Sequence, residues 1–283
     1  MSNLRTLSEM KSKLLSSKKA PYLFLGILIG LILLFMVRSC VPDFSQEISY
    51  KIGQDTRWQD ILLLGKQRNL VAFNQDLLTV IGKRQNLKIK IYPIYQKDLI
   101  KDLEQQQVDG ILTTLFPSPN YESRFLFSEP YFLTGPVLII PESISLDEWN
   151  KIPKKIIGTY LKVNELKSLS SLIGSDAQFK FYTDILAAFK DLAGQKIDGA
   201  IFPAIPSYTY VKTFYTNELK IASNPLNLEG IRLVVEKNEK GEMLISDFNE
   251  GLKDLKESGD YASMLDRWGL INVELINIPK SIL

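Results

Sequence analysis

The side chains available for chemistry in this chain are carboxylates, hydroxyls, aromatics and guanidiniums, because its 283 residues include no histidine and one cysteine, Cys40. Without histidine there is no imidazole base, no Ser-His-Asp or Cys-His nucleophile, and almost no route to a zinc site. Neither a P-loop nor a dinucleotide-binding glycine fingerprint occurs. Carboxylate-only catalysis survives this filter. The close carboxylate pairs, Asp147 with Glu148 and Asp254 with Glu257, read instead as solvated helix faces. No enzymatic activity, cofactor or metal is therefore expected.

The elements that must position any site are written twice. Residues 101–110 (KDLEQQQVDG) return as 190–199 (KDLAGQKIDG), 89 positions later. In each copy a short helix, with apolar residues three or four apart (Leu99, Leu103; Ile185, Phe189, Leu192), runs into Asp-Gly and a short apolar strand. A Lys-apolar-Tyr strand precedes each copy, at Lys90–Tyr92 and Lys180–Tyr182. A repeated strand–helix–strand unit predicts two α/β lobes built to one plan, with a ligand cleft between them. A hydrophobic content of 45% is enough to give each lobe a core. In this setting Asp109 and Asp198 are expected to start strands and make local turn bonds.

Charge and hydropathy set the address. Residues 1–40 carry six basic side chains and one acidic one, which leaves 28 basic and 31 acidic in the body. No basic stripe remains for nucleic acid, so no nucleic-acid partner is expected. Residues 21–37 (PYLFLGILIGLILLFMV) are uncharged, and at about 1.5 Å per residue they are just long enough to cross a hydrocarbon core of about 30 Å. The basic residues lie almost all on the N-terminal side, which places the body outside the cytoplasm. Two readings stand: an uncleaved transmembrane anchor, or a secretory signal ending at VRSC, 37–40, which resembles a lipoprotein cleavage box with Cys40 as the lipidation candidate. Both tether the body to a bacterial membrane, cytoplasmic or outer.

The expected layout is a basic region at 1–20, a hydrophobic segment at 21–39 and a linker at 41–49. Lobe one follows at 50–135 and 236–270, lobe two at 136–235, and a C-terminal tail at 271–283. The pattern predicts strands at Tyr50–Ile52 and Lys155–Ile157. Helices are predicted at about 74–85 (capped by Asn74), about 163–173, and 242–258. Crossings at about 133–138 and 228–235 form the hinge.

The segments GQD (53–55), LVAFNQDL (70–77), VDGILTT (108–114), FSEPY (127–131), IDGAI (197–201) and ESGDYASMLDRWG (257–269) occur in this order. Together they resemble the family 3 extracellular solute-binding proteins of polar amino-acid ABC importers, over about residues 49–269. The resemblance implies a two-lobed periplasmic-binding-protein-like fold. It also implies an extracytoplasmic body, an ABC permease partner, and closure of the lobes on a small polar, amino-acid-like molecule. By position it implies ligand contacts from Trp58 (stacking), Thr113 and Thr114 (cleft hydroxyls), Ser118, Tyr121 and Thr159. The Gly-Thr turn of lobe two falls either at 158–159 or at Lys162 and Val163. Two departures stand out. Relatives clamp the ligand carboxylate with an arginine where this chain has Tyr121, and bind its ammonium with an aspartate where this chain has Pro203. Arg57, Arg124 and Arg232 are candidates for a relocated clamp, with surface salt bridging as the plainer role of each. The alternative function is a sensor or interaction domain that kept the scaffold and lost transport.

Overall fold

The computed structural model describes residues 49–162, 166, 169 and 173–275. The apolar run at 21–37, Cys40, the linker up to residue 48, Val163 and most of the helix expected around it, and residues 276–283 lie outside the described residues. Among the described residues no helix is long and apolar enough to cross a membrane.

Lobe one is built from β1 (Ser49–Asp55), α1 (Gln67–Arg84), β2 (Lys88–Ile94), α2 (Leu99–Glu104), β3 (Gly110–Thr113), α3 (Pro119–Glu122), β4 (Phe125–Phe127) and β5 (Phe132–Leu133). Lobe two follows with β6 (Pro136–Pro141), α4 (Leu146–Asn150), β7 (Ile156–Thr159), β8 (Gln178–Phe181), α5 (Ile185–Ala193), β9 (Gly199–Pro203), α6 (Ala204–Phe214) and β10 (Leu219–Ile221). The chain then returns through β11 (Gly230–Glu236), α7 (Glu239–Glu257) and α8 (Asp260–Arg267).

The two sheets share one plan. Lobe one reads β2-β1-β3-β11-β4, with β5 also on β11, and lobe two reads β8-β7-β9-β6-β10. Each has a parallel trio joined antiparallel to a strand that borders a crossing, β11 on β3 and β6 on β9. The inner strands β6 and β11 carry continuous buried runs, because elements cover both faces, whereas the edge strands β2 and β8 alternate and are largely exposed. In β6, Val137 and Ile139 point to one layer, with Phe189 and Phe202, whereas Leu138 and Ile140 point to the other, with Trp149 and Ile157. In lobe one, Phe73 and Leu77 of α1 and Leu244, Phe248 and Leu252 of α7 bury one face, and Leu99, Leu103, Val108 and Ile111 bury the other.

The structure corrects the reading in four places. The return crossing expected at about 228–235 is mostly β11, whose ladder to β3 and β4 puts it in lobe one; the linking segment is 222–229. Helix α1 begins seven residues before Asn74. Instead of capping, Asn74 is fully buried in mid-helix, where its amide donates to Gln54 Oε1 (3.2 Å) and its carbonyl oxygen accepts from the Tyr131 hydroxyl (2.9 Å). An asparagine with buried partners loses its preference for the helix end. The chain end also differs: Leu270 is buried in the lobe-one core, but Val273 is buried among lobe-two residues, so the segment after α8 crosses between the lobes a third time. Asp109 and Asp198 bond to a distant strand rather than within their own turns.

Candidate functional site

Four parallel strands, β1 and β3 in lobe one and β7 and β9 in lobe two, direct their carboxyl ends at the space between the lobes. Such ends are where α/β sheets leave crevices, because successive loops diverge there. A cavity of about 390 Å³ occupies that space. After β1 it is lined by Asp60, Ile61 and Leu62, and after β3 by Thr114 and Phe116. Lobe two supplies Tyr160, directly after β7, and Pro203, Ile205 and Pro206 at the β9–α6 junction. The crossings supply Thr134, Glu229 and Gly230.

The two crossings are pressed together at this point. The backbone N–H groups of Thr134 and Gly135 both donate to the Glu229 carbonyl, at 2.9 and 3.2 Å. A Cβ on Gly230 would stand 2.4 Å from the Phe132 carbonyl oxygen, so only glycine permits this approach.

The lining carries two carboxylates, Asp60 and Glu229, and no lysine or arginine among the described residues. Asp60 accepts from the Gln96 side chain, and Glu229 Oε1 accepts from Asn227 Nδ2 at 2.8 Å. Phe116 is 51% exposed and Tyr160 is 45% exposed. Partly exposed aromatic rings and two carboxylates in one lining favour a positively charged group.

Of the sequence-predicted residues, Thr114 lines the cavity. Thr113 ends β3 half-buried, its Oγ1 accepting from Leu115 N at 3.2 Å. Ser118 precedes α3, and its carbonyl accepts from the backbone of Tyr121 and Glu122. Tyr121 packs half-buried in the α2-side core, its ring 6.4 Å from that of Phe125. Trp58 is 4% exposed and packs within the lobe-one core. Thr159 is fully buried; its hydroxyl donates to the Ile201 carbonyl (3.0 Å) and accepts from Leu161 N (3.1 Å). Lys162 lies on the exposed loop beyond Tyr160.

The cavity residues missed from sequence are chiefly Asp60, Phe116, Tyr160 and Glu229. Phe116 and Tyr160 follow strand ends by one to three residues, which was the available signal. Pro203, at the position where relatives carry the ammonium-binding aspartate, does face the cavity.

The three arginines separate clearly. Arg57 stacks over Tyr95, its guanidinium carbon 5.4 Å from the ring centre. Arg124 is ion-paired with Glu104 at 2.5 Å. Arg232, on β11, is buried, and its guanidinium lies 5.4 Å from the Phe116 ring centre. Burial pulls its pKa below the ordinary value, opposed by the Glu129 charge, and an arginine so placed stays protonated at neutral pH.

The sequence model of the bacterial extracellular solute-binding proteins, family 3, matches residues 50–271. This chain belongs to that family. It is similar to an arginine-binding periplasmic protein of Mannheimia haemolytica, 24% identical over 202 residues, covering 70% of this chain and 82% of that one. Among solved structures it is similar to the L-cystine solute receptor of Neisseria gonorrhoeae in the unliganded open conformation, with TM-score 0.58 and 15% identity over 78% of this chain and 93% of that one. An ancestral cyclohexadienyl dehydratase shares the fold as well, with TM-score 0.56 and 17% identity over 81% of this chain and 94% of that one.

Proposed function

We propose that this family member is the extracytoplasmic receptor of an ABC importer, tethered by its N-terminal segment and closing its lobes on a small polar molecule that carries a positive charge. The observation that carries this reading is the interlobe cavity, whose lining includes Asp60, Glu229, Phe116 and Tyr160 and, among the described residues, no lysine or arginine. The arginine-binding relative agrees with it. Tyr121 and Pro203 remove the two charges with which relatives hold a free amino acid, so the usual clamp does not operate.

Calorimetry against cationic, neutral and acidic amino acids and simple amines tests the ligand class, and a preference for neutral or acidic compounds would refute it. Small-angle scattering with the bound compound should show a smaller radius of gyration. Replacing Cys40 with Ala separates the two anchors: lipid labelling disappears only if Cys40 is acylated, while membrane fractionation persists with an uncleaved helix. The departed clamp also suits a sensor that no longer serves transport. Ligand-dependent stimulation of a reconstituted permease favours the importer over the sensor.

A further inference from the structure

We infer that Arg232, reached from the cleft past Phe116, is the anion anchor of this receptor: it takes a carboxylate of the ligand whose cationic group faces Asp60 and Glu229. This deepens the function proposed above and rests on it.

Arg232 is 5% exposed, yet it forms no ion pair with any described carboxylate, and its Nε is buried without a hydrogen-bond partner. Its one fixed hydrogen bond runs from Nη2 to the Leu228 carbonyl at 2.5 Å. A guanidinium carries five donors, and burying it without an anion is unfavourable. A charge kept in such a place is ready for a partner that arrives. The position fits the cavity as well. Arg232 stands opposite Thr113 in the β11–β3 ladder, so both side chains leave the same face of the sheet. The adjoining residues Thr114, Glu229 and Gly230 line the cavity, and so does the Phe116 ring that covers the guanidinium. This exposed ring borders the cleft on one side and holds the charge by a cation–π contact. A shift of the Phe116 side chain opens the planar fork to a bidentate carboxylate.

The test uses the purified full-length chain labelled with ¹⁵N-arginine and titrated with the twenty amino acids, acetate, and the decarboxylated amines agmatine, cadaverine and histamine. The Arg232 Nε–H resonance, assigned by its loss in Arg232→Lys, is expected to shift with the amino acid that binds and to stay in place with the matching amine. Arg232→Gln is expected to weaken that amino acid by roughly 30-fold or more and to leave the amine unaffected. Should Arg232→Gln fail to fold, the resonance shift in the unaltered chain still decides. An amino acid that binds with the resonance unmoved, or with less than about threefold loss in Arg232→Gln, overturns the assignment. If amines alone bind, the anchor is refuted while the receptor reading stands. If nothing binds, both fall.

Discussion

Asp109 and Asp198 hold the central strand of the parallel trio in their lobes, β1 and β7, in the same way. Oδ2 of Asp109 accepts from Lys51 N, and Oδ2 of Asp198 accepts from Ile156 N, both at 2.7 Å. The backbone N–H of each aspartate donates back to the carbonyl of that same residue, at 2.8 Å in both lobes. The repeated Asp-Gly is thus a clasp that joins the strand after the repeated helix to its parallel neighbour, β3 to β1 and β9 to β7.

Asp109→Ala and Asp198→Ala should each lower stability by about 1–3 kcal/mol, the range for a lost charge-assisted bond that leaves a backbone donor unpaired. Because the clasps sit in different lobes, the double variant should be close to additive. Urea unfolding measures this, and a neutral result at both sites would remove the clasp as a stabilising element.

Gln106 and Gln195 occupy the same point in the two repeats, just past the helix, with φ of +55° and +56°. Side chains rarely adopt this left-handed region, at a cost of about 1–2 kcal/mol that glycine avoids. Gln106→Gly and Gln195→Gly should therefore each add up to about 1 kcal/mol of stability, after the entropy of the added glycine is set against the gain, and so raise the melting temperature. Thermal unfolding of both variants decides it; a fall in both would mean that the side chains contribute more than the backbone strain removes.

Asp191 gathers Lys180 Nζ and the Tyr182 hydroxyl at 2.8 Å and Lys196 Nζ at 3.1 Å. The Lys180 bond first, then Tyr182 and Lys196, hold its carboxyl well below the usual range. A carboxyl depressed on folding contributes stability that is fully present above the ordinary aspartate value, about 4, and is lost as the pH falls below it. Melting temperature should thus drop more steeply between about pH 4 and 2 in the natural chain than in Asp191→Asn. Identical slopes would place the acid sensitivity elsewhere.

Thr159 separates structure from binding. Thr159→Val leaves the Ile201 carbonyl and the Leu161 N–H without their hydroxyl partner and should cost about 1–3 kcal/mol, whereas Thr159→Ser keeps both bonds. Ligand affinity of the folded fraction should not change in either variant. A selective affinity loss in Thr159→Val with stability intact would return this hydroxyl to the ligand.

Glu229→Gln and Asp60→Asn each remove one negative charge from a lining that holds no lysine or arginine among the described residues. Each should weaken a cationic ligand by roughly tenfold, with a loss that shrinks at high salt. Calorimetry at two ionic strengths checks both points.

The sequence by itself determined the two-lobed plan, the absence of imidazole and thiol chemistry from the body, and the family. These are local properties. Helix periodicity, the Asp-Gly turn and ordered motifs are set by residues within a few positions of one another, so the copies at 101–110 and 190–199 show in the sequence as plainly as in the two matching sheets. Which side chains face the cleft was decided by tertiary structure alone. Thr159 is turned inward because a carbonyl 42 residues away accepts its proton. Trp58 is closed in by the lobe-one core, and β11 joins lobe one through its ladder to β3 and β4. Arg57, Arg124 and Arg232 look alike in the sequence. They differ because an arginine's role depends on every group around its guanidinium, and of the three Arg232 alone is buried without an ion pair to any described carboxylate.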